Sequence, residues 1–105
     1  MFEFRQGDVA GIRVDALPEG EVREIPRDAR GRIVLKEGEV TGHAHAIFDA
    51  GVRLVEVDRN RYLVADSPFE VVHEEHHTVT APPGIWLLPE QVEHTDADEP
   101  RPVSD

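Results

Sequence analysis

Two short stretches carry the residues of this chain most able to do chemistry: TGHAHAIFDA (41–50), with His43 and His45, and HEEHH (73–77). A neutral imidazole offers one lone pair to a divalent transition ion. With a carboxylate beside them, several imidazoles make a ligand set suited to Zn, Fe, Mn, Ni or Cu. Strand side chains alternate between faces, so His43, His45 and Ile47 share one face while Ala44, Ala46 and Phe48 share the other. Ile47 argues that the histidine face is buried; Phe48 with two alanines argues equally for the opposite face. Farther along, Phe69, Val71 and His73 form one stripe and His77 and Val79 another, with Glu74, Glu75 and His76 in the tight corner between. If this corner lies beside the strand of His43 and His45, three or four imidazoles and a carboxylate converge. The ligand candidates are then His43, His45, His73, His77 and Glu75, with His76 and His94 as outlying members. Glu74 or Glu75 is the candidate general base toward a substrate polarised by the ion. The competing reading is structural: HEEHH is an exposed acidic turn in which carboxylates pair with imidazolium, and HAH is an ordinary strand.

The rest of the composition narrows the field. With 105 residues, 39% hydrophobic and 31% charged, the chain has the size and balance of one globular domain with a polar surface. A formal charge of -11 with neutral histidines repels nucleic acid and favours cations or a basic protein partner. There is no cysteine, so disulfides, thiolate nucleophiles and Cys-rich zinc fingers are excluded. No basic start with a long apolar run marks a signal peptide, and no apolar segment approaches the roughly 20 residues that span a bilayer, so a cytoplasmic location away from membranes is the expectation. No phosphate-loop or GxGxxG pattern occurs, and Ser67 and Ser104 lack a nucleophile-elbow context. Trp86 and Tyr62 read as core or subunit contact.

The elements that must position the histidines read as all-β: short apolar runs separated by turn residues, a single small barrel or sandwich of about eight antiparallel strands. The expected strands are DVAGIRV (8–14), RIVLKE (32–37), HAHAIFD (43–49), VRLVEV (52–57), RYLVAD (61–66), FEVVH (69–73), HTVTA (77–81) and GIWLLP (84–89). DAG, DRNR, DSP and PPG between them carry residues that turns favour. Gly38 and Gly42 allow a turn before the histidine strand, and Gly42 could also let backbone or ligand approach. One domain is expected over 1–95, with a long surface loop at 16–31 that contains a short irregular strand through VREI, followed by an acidic tail at 96–105.

On these motifs the chain resembles a minimal cupin. HxH is His43 and His45, with Gly38 one residue closer than that family's first motif has it, Asp49 stands where its glutamate belongs, and Pro82, Pro83 and Gly84 match its PxG element. Leu87 occupies the position of its second-motif histidine. The resemblance covers roughly residues 38 to 87. It implies a double-stranded β-helix barrel around a divalent metal, with His43 and His45 as ligands, Asp49 as a third, and the lost histidine supplied by His73, His77 or His94. The whole chain is also similar to small uncharacterised bacterial proteins with GDV near the start, GEVTGHAH, HEEH and PPG.

Two functions follow from these observations. The first is a metal-binding β protein, which could be an enzyme acting on a small molecule. The second is a non-catalytic module that assembles with itself or docks on a partner, its histidines structural, because the edge strands of a small sheet need covering. A narrower third is a pH sensor, since protonating six histidines moves the formal charge to about -5.

Overall fold

The computed structural model of the chain describes residues 2–38 and 40–89; His94 and the acidic segment 96–105 lie outside the described residues. Among the described residues ten short strands follow one another: β1 (Glu3–Gln6), β2 (Val9–Val14), β3 (Val22–Ile25), β4 (Ile33–Glu37), β5 (Ala44–Ile47), β6 (Val52–Val57), β7 (Asn60–Ala65), β8 (Phe69–Val71), β9 (Val79–Ala81) and β10 (Gly84–Leu88). The all-β expectation holds, with two more strands than the eight expected. Among the described residues no helix is long and apolar enough to cross a membrane.

Six strands form one antiparallel sheet in the order β1-β2-β10-β7-β6-β3. β4 pairs with β5 and β8 with β9, and the pair Ala46 and Val72 joins these two ribbons into a second layer. A sandwich fits this arrangement, and among the described residues no continuous ladder closes it into a barrel. Phe4, Ile33, Leu35, Ile47, Val52, Leu54, Leu63, Phe69, Val71 and Trp86 fill the space between the layers. Phe4, Phe69 and Trp86 meet edge to face or tilted, with ring centroids 5.3 to 6.3 Å apart. Burying each such side chain contributes on the order of 2 kcal/mol, and this core is what holds the histidine-bearing ribbon against the larger sheet.

The hairpin of β6 and β7 turns through Asp58 and Arg59, both left-handed at φ 54° and 74°. That is the geometry of a type I′ loop, whose twist matches the strands it joins. VRLVEV and NRYLVA alternate so that Leu54 and Leu63 face the main core while Val55, Val57 and Tyr62 face the other side. This second apolar face explains the segment 16–31, read from its prolines and glycines as a surface loop. Leu17 packs onto Val55, Val57 and Tyr62, and VREI pairs with β6 as edge strand β3. The segment follows the sheet because the sheet's outer face is apolar.

Candidate metal centre

Ala46 and Val72 exchange both backbone hydrogen bonds, at 2.9 and 3.0 Å. That antiparallel register decides the site, because it sets His45 opposite His73, Ala44 opposite Glu74 and His43 opposite Glu75. The side-chain contacts follow it. The rings of His45 and His73 lie 4.3 Å apart between centroids, Glu74 Oε1 accepts the Ala44 N–H at 3.0 Å, and His43 Nδ1 lies 3.1 Å from Glu75 Oε2. His76 closes the group from the same corner, 4.6 Å from His73 and 5.4 Å from His45. All four residues of β5 are buried, Ala44 and Ala46 included, and the two faces part at their apolar ends: Ile47 joins the main core, whereas Phe48 is 56% exposed.

His45, His73 and His76 bring one nitrogen each within 4.8 Å of one another. An ion about 2.1 Å from each nitrogen needs them about 3.4 Å apart, so binding draws these side chains inward by an ångström or so. His76 is exposed and His73 half-buried, and both can move that far; His45 is held.

What holds His45 is Gln6. The Gln6 amide donates to the carbonyls of Val71 and His77, both at 2.8 Å, which leaves its Oε1 facing His45 Nδ1 at 2.9 Å. An acceptor oxygen there requires a proton on Nδ1. In the neutral ring Nε2 is therefore bare and available to an ion, the outer-partner arrangement usual for metal-bound histidine. His73 is set the other way. The Glu75 N–H donates to His73 Nδ1 at 2.9 Å, so the neutral ring carries its proton on Nε2. His73 can take an ion only by exchanging that amide for it or by turning its ring over, which couples ion binding to the conformation of the 73–76 turn.

The turn between β1 and β2 forms the other wall. Gly7 has φ +60°, and a Cβ there would stand 3.0 Å from the His76 ring and 3.3 Å from the His45 ring. Gly7→Ala is expected to lose about 1 kcal/mol of stability through the left-handed backbone and to weaken ion affinity further, because the exposed His76 ring swings out to make room. Urea denaturation and an ion titration on that variant check the two effects separately.

The remaining candidates from the sequence have distinct surroundings. His43 lies at the margin, its ring 6.0 Å from His73. Glu75 is mostly exposed beside it. The Glu74 carboxyl is held below its usual range by its own and the Ala44 backbone N–H, so it stays ionised and pins the corner to β5. His77 brings its carbonyl to Gln6 while the residue itself is exposed. Asp49 accepts the Glu70 N–H at 2.8 Å, anchoring the start of β8. Leu87 packs with the outer cluster, on the other side of the sheet from the main core. Gly42, at φ +88° with open space around a Cβ, serves the turn. Trp86 and Tyr62 are buried.

Burial, together with the positive charge that His73 and His76 would carry, pushes the His45 pKa down from 6.5 to about 4, against the pull of Asp8. His45 is thus a neutral ligand throughout the physiological range. An unfolded chain takes up this proton near 6.5 and the folded one only near 4, so the unfolded state binds more protons between those values. Stability of the metal-free protein is expected to fall as pH drops from about 6.5 to about 4, by up to about 3 kcal/mol from this residue. Asp8, Asp28 and Glu74, with lowered pKa values, add losses of the same sign from the acid end of that window downward. Urea midpoints across pH 7 to 4 would show the first slope, and a His45→Gln variant should lack it.

Gln6, Gly7 and Asp8 are the site residues that the sequence reading passed over. A signal for them exists: EFRQ alternates, GD is a two-residue hairpin turn with glycine first, and VAGIRV follows. Four residues so close to the N-terminus, only one of them strongly apolar inward, make too short a run to stand out as a strand.

No curated protein and no solved structure matches the chain. A family model does match, over residues 5–91, a span that begins within β1 and takes in Gln6, the Gly7 turn, HAH and HEEHH together with every strand after β1. The chain therefore belongs to the family described as Domain of unknown function (DUF8820).

Proposed function

We propose that this protein is a small β domain that binds one divalent transition ion through His45, His73 and His76. The observation that carries this reading is the clamp on His45: a buried, neutral imidazole whose Nδ1 proton is committed to Gln6 presents a bare Nε2 to two further imidazoles. A histidine serving only as core filler does not need its tautomer set by an amide that is itself fixed by two carbonyls. Three neutral nitrogens keep the full charge of the ion and leave positions for water or a small molecule, as in catalytic zinc sites, where the ion polarises a carbonyl or lowers the pKa of bound water. Glu75, exposed beside His43, is the carboxylate free to act as a base there, since Glu74 is engaged with backbone. A cupin-like origin would account for HAH and PPG, but this ligand set differs from the cupin one and does not rest on it.

The experiment is metal analysis by mass spectrometry on untagged protein purified without chelator, followed by titration with Zn, Co, Ni, Cu, Mn and Fe. One ion per chain is expected. A free ion concentration 100-fold above Kd should add about 2.7 kcal/mol to unfolding stability. Folded protein that takes up none of these ions would overturn the reading and return the cluster to a structural role. The alternative of a self-assembling module would then rest on the outer sheet face, where Ile12 and Val22 are 41% and 47% exposed.

A further inference from the structure

The β1–β2 turn holds a second donor atom against the bare face of His45. Asp8 Oδ1 lies 3.7 Å from His45 Nε2. With the His45 proton fixed on Nδ1 by Gln6, both atoms present lone pairs, and neither can donate to the other. Two acceptors at that distance leave room for a shared cation. The other oxygen, Oδ2, meets the Nζ of Lys36, the chain's single lysine. Lys36 is the direct ladder partner of His45 across β4 and β5, so its ammonium belongs to this corner by register.

We propose that Asp8 is the fourth protein ligand of the ion and that Lys36 is the partner it leaves to reach it. This rests on the three-histidine reading and adds to it both a charge and a competing contact. Asp8 approaches only His45, so sharing an ion with His73 and His76 requires its carboxylate to swing inward; with its side chain 60% exposed, it is free to do so. The electrostatics favour the exchange. A divalent ion beside three neutral imidazoles and a lysine ammonium carries three positive charges within a few ångströms. Asp8 entering the shell lowers that sum, and Lys36, 37% exposed at its side chain, can turn to water. Lys36 then acts as the cation that neutralises Asp8 while the ion is away.

The test is Co(II) titration of the whole chain, with Kd by competition and the visible absorption band as a report on coordination, for the unaltered protein, Asp8→Asn, Lys36→Met and the double variant. Asn is well tolerated in a turn, so the fold should persist. Asp8→Asn is expected to weaken binding at least about 100-fold, the upper end of what losing an outer-shell partner costs, and to change the band. Lys36→Met should tighten binding several-fold when Asp8 is present and have no effect in the Asp8→Asn background. Uptake by Asp8→Asn with unchanged Kd and band overturns the assignment of Asp8 while leaving the histidine site standing. Equal tightening by Lys36→Met in both backgrounds overturns the exchange, because Lys36 would then act on the ion only through space. Absence of uptake by the unaltered chain overturns the histidine reading and this one with it.

Discussion

Replacing His45 with alanine is expected to leave almost no ion bound at concentrations that only just saturate the unaltered protein. An apparent binding free energy of about 10 to 16 kcal/mol, typical of a structural zinc site, spread over four ligands is about 2.5 to 4 kcal/mol each. Losing one ligand therefore raises Kd about 60- to 700-fold. His45 should lie at the upper end of that range, because its nitrogen alone is prepared in advance; His73 must break its bond to the Glu75 amide, and His76 must be drawn in from solvent. His43→Ala is expected to have a much smaller effect, since that ring stands at the margin beside Glu75. Calorimetric titration of the two variants decides the matter. Binding retained in His45→Ala and lost in His43→Ala would place the ligand set on the outer side of HAH and refute the site built here.

The second large effect falls on Gln6. Gln6→Leu keeps the volume roughly and removes three hydrogen bonds: those to the Val71 and His77 carbonyls and that from His45 Nδ1. Each buried polar group left without a partner costs about 1 to 3 kcal/mol, so a loss of about 3 kcal/mol or more is expected in the metal-free protein. That is a large share of the roughly 5 to 15 kcal/mol by which domains are stable. Ion affinity should drop about 10- to 100-fold as well, because the His45 ring is no longer held in orientation or tautomer. Gln6→Glu is the sharper variant. Its carboxylate still accepts from His45, but it sets negative charge against two carbonyl oxygens, so it should be at least as damaging at neutral pH. Urea unfolding of metal-free protein measures both; a Gln6→Leu variant within about 0.5 kcal/mol of the unaltered chain, the range of neutral surface changes, would mean that the clamp is not formed.

These effects also show how far the sequence reached. Alternation of apolar residues and turn chemistry are local signals, with a period of two and loops of a few residues, and they were enough for the all-β class and for eight of ten strands; β6 falls on VRLVEV as read. VREI was legible as a strand inside a loop, but its place at the sheet edge was not, because pairing with β6 joins residues 29 to 35 apart. β1 was missed because only Phe4 of its four residues, EFRQ, is apolar, so no apolar alternation marks it. His45, His73 and His76 were all visible as metal-capable residues by type alone.

What the sequence by itself determined, then, is the class of fold, the strand-forming segments and the pool of residues from which a site could be drawn. Only the tertiary structure decided that the His45 and Ile47 face is buried, that residue 45 stands opposite 73, and that Gln6, Gly7 and Asp8 wrap around the result. The physical reason is range. Strand periodicity is set by neighbours along the chain, whereas the Ala46–Val72 register and the Gln6–His45 hydrogen bond join segments 26 and 39 residues apart, and a one-residue slip of that register would put His45 and His73 on opposite faces.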